Sequence, residues 1–209
     1  MSKNTIAPPP VMECRNISAS RDGYCLTAPQ SFCVAKGEYL QLRGPNGCGK
    51  STLLRHLAGF LPLVDGTILI EAMVCAPADI PQQKQLCYLG HNDALAGDLS
   101  GYENFELLTG QSRVMLAQLP LYERPVASYS AGQRQKLNLQ ILDDAADIWL
   151  LDEPSSNLDD ANLLYLEERI AGFLATGGLV IASTHSPLAQ SLVTQIIHLA
   201  PLSSEEALS

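Results

Sequence analysis

The chain has 209 residues, 46% of them hydrophobic, enough for one sizeable core with at most a small appended subdomain. Thirteen basic against twenty-two acidic residues leave a net charge of −9, the wrong sign for a protein that lives on a polyphosphate backbone, so nucleic acid is excluded as a partner. No apolar run reaches the roughly 18 residues of a membrane helix, and the start lacks a basic segment followed by an apolar one, so neither direct membrane insertion nor a signal peptide is expected.

The six cysteines form no CxxC pair, which fits scattered reduced thiols rather than a zinc site or a disulfide framework. The few basic residues do not gather into a polybasic anchor, so any membrane association is expected to run through a protein partner.

In chain order, residues 1–10 end in Pro8-Pro9-Pro10 and read as a loose tail. Glu38 to Arg43 alternates like a strand and runs into Gly44-Pro45-Asn46-Gly47-Cys48-Gly49-Lys50-Ser51-Thr52. From Lys50 to Ala58 a helix is expected, with Leu53, Leu54, Leu57 and Ala58 on one face and Gly59 as its stop. Strand, glycine loop and helix in that order are the context that G-x-x-x-x-G-K-[ST] requires. The glycines let consecutive backbone N–H groups point at phosphate oxygens, and the helix N-terminus adds its positive end. Lys50 would neutralise the β and γ phosphates, and the Ser51 hydroxyl would reach Mg²⁺.

Gly66 to Ile70 and Leu86 to Leu89 read as further short strands. The second runs through Gly90 into His91-Asn92-Asp93, a stretch open to two readings, a plain turn or a phosphate sensor. A permanent metal site is disfavoured there, because the cysteines form no ligand-like cluster around it. Gly101 to Gln118 and Ala131 to Ala146 are helical in composition, so residues from about 92 to 135 are expected to form a small helical subdomain that adds no strands. Tyr129-Ser130-Ala131-Gly132-Gln133 opens the second helix. Ser130 suits its cap, and Gly132 allows close approach of a ligand.

Ile148 to Leu151 and Leu179 to Ala182 are continuous apolar runs of the kind that fill a parallel sheet covered on both faces, which makes the core α/β. The first delivers Asp152 to the strand's carboxyl edge, where it can hold Mg²⁺, and Glu153 one residue on can deprotonate an attacking water. Asn157-Leu158-Asp159 and Ser183-Thr184-His185 follow the two runs and are unremarkable in isolation. Residues 202–209 read as a second loose tail, leaving residues 11–200 as a single domain.

Taken in order, GPNGCGKS, YSAGQ, WLLDEP, SNLD and STH resemble the Walker A, signature, Walker B, D-loop and switch-histidine elements of ABC transporter ATPase subunits. The resemblance implies a P-loop NTPase core carrying a small antiparallel β region and a short helical subdomain, and an ATP-dependent homodimer in head-to-tail arrangement. It assigns Lys50, Ser51, Asp152, Glu153 and His185 the phosphate, Mg²⁺, catalytic-base and γ-phosphate roles, with Ser130, Gly132 and Gln133 on the opposite subunit's ATP and Asp159 in the D-loop. Arg21 stands where the family stacks an aromatic side chain on adenine, and Tyr24 competes with it. A guanidinium can also stack on a purine. His91 stands where the family has the Q-loop glutamine.

Arg21-Asp22, Gly90-His91, Trp149 inside Walker B and the short length look like the haem-exporter ATPases of the cytochrome c maturation system, the CcmA family. That likeness implies ATP hydrolysis on the cytoplasmic face of the inner membrane, peripheral attachment, and coupling to membrane-spanning subunits of the CcmB and CcmC kind, with the partner docking beside residues 92–118. A soluble ABC ATPase acting as a mechanical switch is the competing class. Its members usually carry two cassettes in one chain or long insertions, and this sequence has neither.

Overall fold

The computed structural model describes residues 10–80, 86–90, 95–112, 120–156 and 158–202. In chain order its elements are β1 (Pro10–Ile17), β2 (Ser20–Arg21), β3 (Tyr24–Cys25), β4 (Gln30–Ala35), β5 (Tyr39–Arg43), α1 (Lys50–Leu57), β6 (Thr67–Ile70), β7 (Met73–Cys75) and β8 (Leu86–Leu89). They continue with α2 (Gly101–Thr109), α3 (Ala131–Ile141), β9 (Ile148–Asp152), α4 (Asp160–Ala175), β10 (Leu179–Ser183) and β11 (Gln195–His198).

Five strands form a parallel sheet in the order β11-β5-β10-β9-β8. Successive side chains of a strand point to opposite faces, and both faces of this sheet are covered at its centre, which is why Ile148–Leu151 of β9 and Leu179–Ala182 of β10 are continuous apolar runs. Leu40, Leu42, Ile148, Leu150 and Ile181 face α1, packing with Leu53, Leu54 and Leu57. Tyr39, Trp149, Leu151, Val180 and Ala182 face α4, packing with Leu166, Ile170 and Phe173. The Trp149 and Phe173 rings stack 4.0 Å apart and within 5° of parallel.

An antiparallel sheet in the order β4-β1-β6-β7 closes over the α1 side, contributing Met12, Cys14, Ile68 and Ile70 to the same cluster. A third, smaller cluster of Tyr102, Phe105, Tyr122, Val126, Tyr129 and Leu137 joins α2 to α3. Buried Asn104 stitches it together, donating from Nδ2 to the Ala96 and Ser100 carbonyls at 3.0 and 2.9 Å and accepting from the Ala96 N–H at 2.7 Å.

The two helices of this cluster are shorter than their composition predicts. In place of Gly101 to Gln118, α2 ends at Thr109, where Gly110 takes a left-handed φ of 66° and donates to the Glu106 carbonyl. Residues 113–119 lie outside the described residues. In place of Ala131 to Ala146, α3 ends at Ile141 because Leu142 leaves the helical region at ψ 119°. Neighbouring side chains take the freed carbonyls: Arg169 donates to Leu139 and Leu142, and Trp149 Nε1 donates to Asp143 at 2.8 Å. β1, β2, β3, β4, β7, α4 and β11 were not placed from sequence, and three of them, β1, β4 and β7, join β6 in the antiparallel layer.

Candidate nucleotide-binding site

β5, β9 and β10 lie side by side, so the segments leaving their carboxyl ends converge at one edge of the parallel sheet. An open cleft of about 610 Å³ lies there, lined by Arg21, Asn46, Gly47, Gly49, Lys50, Ser51, Thr52, Glu153, Ser156 and His185 among others. Gly49 caps α1 at φ 102°, and a Cβ on it would come within 2.8 Å of the Ala19 methyl, so only glycine brings this backbone so close to the β1–β2 connection. Cys48 turns its side chain into the core instead. No side chain caps the α1 N-terminus, which leaves its N–H groups free to meet an anion.

Lys50 is buried and donates from Nζ to the Gly44 and Pro45 carbonyls at 2.9 and 3.1 Å. The His185 Nε2 stands 3.1 Å from that ammonium and 2.9 Å from Glu153 Oε1. A ring nitrogen can accept from the lysine or donate to the carboxylate, not both at once, so the three groups form a junction with two hydrogen-bonding states.

Asp152, 1% exposed, accepts at Oδ1 from the Ser51 hydroxyl at 2.9 Å and the Ser183 hydroxyl at 2.6 Å. Its Oδ2 is buried with no hydrogen-bond partner. A desolvated carboxylate oxygen in that condition is costly unless a cation or its bound water meets it. The donor set of a serine hydroxyl and a carboxylate, all oxygen, fits a hard divalent cation of the Mg²⁺ type. No cluster of three or more His, Cys, Asp or Glu able to hold a metal by themselves occurs among the described residues.

Glu153 sits at φ 54°, a left-handed conformation costing a non-glycine residue on the order of 1–2 kcal/mol. Its N–H bonds to both the Ser183 hydroxyl at 3.0 Å and the Ser183 carbonyl at 3.2 Å. Ser183 therefore holds both acidic residues, a part sequence reasoning missed although it singled out Ser183-Thr184-His185. The signal lay in register, since β9 and β10 pair Asp152 with Ser183, and register is not legible without the sheet order. His56 was missed too. Buried in α1, it accepts the Ser20 N–H at Nε2 at 3.1 Å while Nδ1 meets the Leu61 carbonyl at 3.2 Å, fixing the strand that carries Arg21.

Of the two candidates for adenine, Arg21 lines the cleft and Tyr24, its ladder partner, is 64% exposed outside that lining. Ser130, Gly132, Gln133 and Asp159 do not line the cleft. Ser130 and Gln133 form a reciprocal capping box on α3, Ser130 N donating to Gln133 Oε1 at 2.9 Å, and Asp159 caps α4 by accepting from Asn162 N at 2.8 Å. His91 and Asn157 lie outside the described residues.

The model of the ABC transporter family matches residues 28–156. The chain is 36% identical over 193 residues to a cytochrome c biogenesis ATP-binding export protein, CcmA, of Xanthomonas campestris, covering 87% of this chain and 89% of that one. The protein of the same name in Rhodopseudomonas palustris strain BisB5 is 40% identical over 185 residues, covering 83% and 91%, and that of Rhodobacter capsulatus is 34% identical over 194 residues, covering 88% and 85%. Among solved structures, an ATP-binding subunit of an ABC transporter superposes with a TM-score of 0.75 at 23% identity over 94% of this chain and 91% of that one. An ABC transporter cassette in its ADP conformation superposes with a TM-score of 0.72 at 18% identity over 95% and 93%. The chain belongs to the ATP-binding proteins of ABC transporters, in the branch formed by the CcmA cytochrome c biogenesis proteins.

Proposed function

We propose that this ABC ATPase powers haem export, or release of a haem-loaded chaperone, in cytochrome c biogenesis. It works from the cytoplasmic face of the inner membrane, attached peripherally to membrane-spanning subunits of the CcmB and CcmC kind. The observation that carries this reading is the 34–40% identity to proteins named for that process over 83–88% of the chain. No helix among the described residues is long and apolar enough to cross a membrane, so translocation needs such partners.

In the cleft, Lys50 exchanges the Gly44 and Pro45 carbonyls for β and γ phosphate oxygens, and Gly47, Gly49 and Thr52 offer backbone N–H groups to the same phosphates. Arg21 stacks on the adenine. Ser51 and Asp152 would hold Mg²⁺, which when bound neutralises charge on the transferring phosphoryl group. Glu153 takes the proton of the attacking water. His185 leaves its contacts with Lys50 and Glu153 to donate to the γ-phosphate. Ser130, Gly132 and Gln133, outside the cleft of their own chain, meet the ATP of a second copy in a head-to-tail homodimer, and Asp159 lies at the seam. His91 takes the Q-loop place, sensing the γ-phosphate and relaying it to residues 92–135.

The test is complementation of a bacterium deleted for its own CcmA. This chain is expected to restore covalent c-type cytochromes by haem staining, and Glu153→Gln is expected not to. Equal failure of both, with each expressed and ATP-binding, would contradict the haem assignment and leave the ATPase standing.

A further inference from the structure

The C-terminal end of α3 is held by side chains from the core rather than by its own cap. Arg169, on α4, donates from Nη1 to the Leu139 carbonyl at 3.1 Å and from Nη2 to the Leu142 carbonyl at 2.8 Å, and pairs with Asp144 Oδ1 at 2.6 Å. Its guanidinium lies 5.4 Å from the Trp149 ring centroid and 5.9 Å from that of Tyr165, whose hydroxyl also accepts from Nη1 at 3.3 Å. Trp149 adds its indole N–H to the Asp143 carbonyl. The side chain of Arg169 is 16% exposed, and that of Asp144 73%. Open clefts of about 420 and 590 Å³ share Arg169, Tyr165 and Asp144 in their walls, so the end of α3 is not braced by close packing on every side.

Trp149 belongs to β9, the strand that ends in Asp152 and Glu153, while the far end of α3 carries Ser130 and Gly132. One planar group thus ties the end of the signature helix to the strand of the catalytic carboxylates. An 11-residue helix is about 16 Å long at 1.5 Å per residue, so a tilt of about 10° at the clamped end displaces the other end by about 3 Å. That is enough to break a hydrogen bond.

We propose that Arg169 is a positioning residue for ATP hydrolysis. Its guanidinium fixes the angle of α3, and so where Ser130 and Gly132 present themselves to the nucleotide of a second copy. The inference rests on the proposed head-to-tail homodimer. Only a forked, planar cation satisfies both carbonyls and the carboxylate while lying over the Trp149 ring; lysine keeps the charge and loses the fork.

The test uses Arg169→Lys and Arg169→Met, with Asp144→Asn removing only the exposed ion pair. Three readouts are needed: ATP affinity of the single subunit, ATP-driven dimerisation in a Glu153→Gln background by light scattering, and kcat. Both Arg169 variants are expected to keep ATP affinity within about twofold while kcat falls about tenfold and dimerisation weakens by a similar factor, with Asp144→Asn close to wild type. Arg169→Lys retains the stem packing and carries the test if Arg169→Met does not fold. Unchanged dimerisation and kcat in folded Arg169→Lys would overturn the inference, and so would a parallel loss of ATP affinity, which marks general damage. Ser130→Arg is the control: dimerisation that survives it would refute the homodimer reading itself, separately from any result at Arg169.

Discussion

Ser183→Ala removes one hydroxyl that holds both Asp152, the proposed Mg²⁺ ligand, and Glu153, the proposed general base. Its Oγ donates to Asp152 Oδ1 at 2.6 Å and accepts the Glu153 N–H at 3.0 Å. A hydrogen bond to a charged group contributes about 1.5–3 kcal/mol. Two contacts survive the substitution, Ser51 Oγ on the same carboxylate oxygen at 2.9 Å and the Ser183 carbonyl on the Glu153 N–H at 3.2 Å. The cost therefore lies at the lower end, about 1.5–2 kcal/mol, and at 1.36 kcal/mol per decade turnover should fall about 10- to 30-fold. Affinity for ATP without divalent cation should not change, because Lys50 and the α1 N-terminus are untouched. Ser183→Thr keeps the hydroxyl on a β-branched side chain suited to a strand and should recover most of the loss. Steady-state phosphate release at saturating Mg-ATP reads both. Ser183→Ala turning over within about twofold of wild type, or Ser183→Thr as impaired as alanine, would refute the reasoning.

Lys50→Ala should lose nucleotide affinity, since phosphate charge then meets no ammonium; normal binding of a fluorescent ATP analogue would contradict the placement. Arg21→Ala should raise KM for ATP several-fold and leave kcat nearly unchanged, while Tyr24→Ala should change neither, and the reverse pattern would move the adenine platform to Tyr24. Burial pushes the Cys14 thiol well above its ordinary range, aided by the charges of Glu13 and Cys33, so its thiolate is scarce at pH 8 as well as inaccessible. Iodoacetamide on the native protein at pH 8 should label exposed Cys33 and leave Cys14 intact by mass spectrometry, with Cys14 reacting only after denaturation.

What could be read from sequence was whatever depends on near neighbours. The glycine loop between β5 and α1 takes its conformation from a few neighbouring residues, so the order of strand, loop and helix around Gly44 to Thr52 was legible. The apolar runs of β9 and β10 announced a sheet covered on both faces, and Asp152 and Glu153 had to stand at its edge. What escaped depends on partners distant in the chain. Ser183 gains its role from a parallel register with β9, and His56 from a contact with Ser20 across 36 residues. The early end of α3 is set by Arg169 and Trp149, and nothing in Ala131 to Ala146 itself foretells where α4 will supply a guanidinium. The β1 strand escaped for another reason: Glu13, Arg15 and Asn16 interrupt its apolar positions, and half-buried Glu13 pairs with exposed Arg15 at 2.6 Å.

The most direct measurement is phosphate release by Glu153→Gln alongside its ATP affinity and oligomeric state. Glu153 stands beside Asp152 with its carboxylate 16% exposed in the cleft and its backbone held in a left-handed conformation by Ser183. Loss of a general base costs about 10²- to 10⁴-fold, so turnover should fall by that much while ATP still binds and a dimer with two trapped nucleotides accumulates in size-exclusion runs. A Glu153→Gln protein that hydrolyses ATP at the wild-type rate would contradict the account.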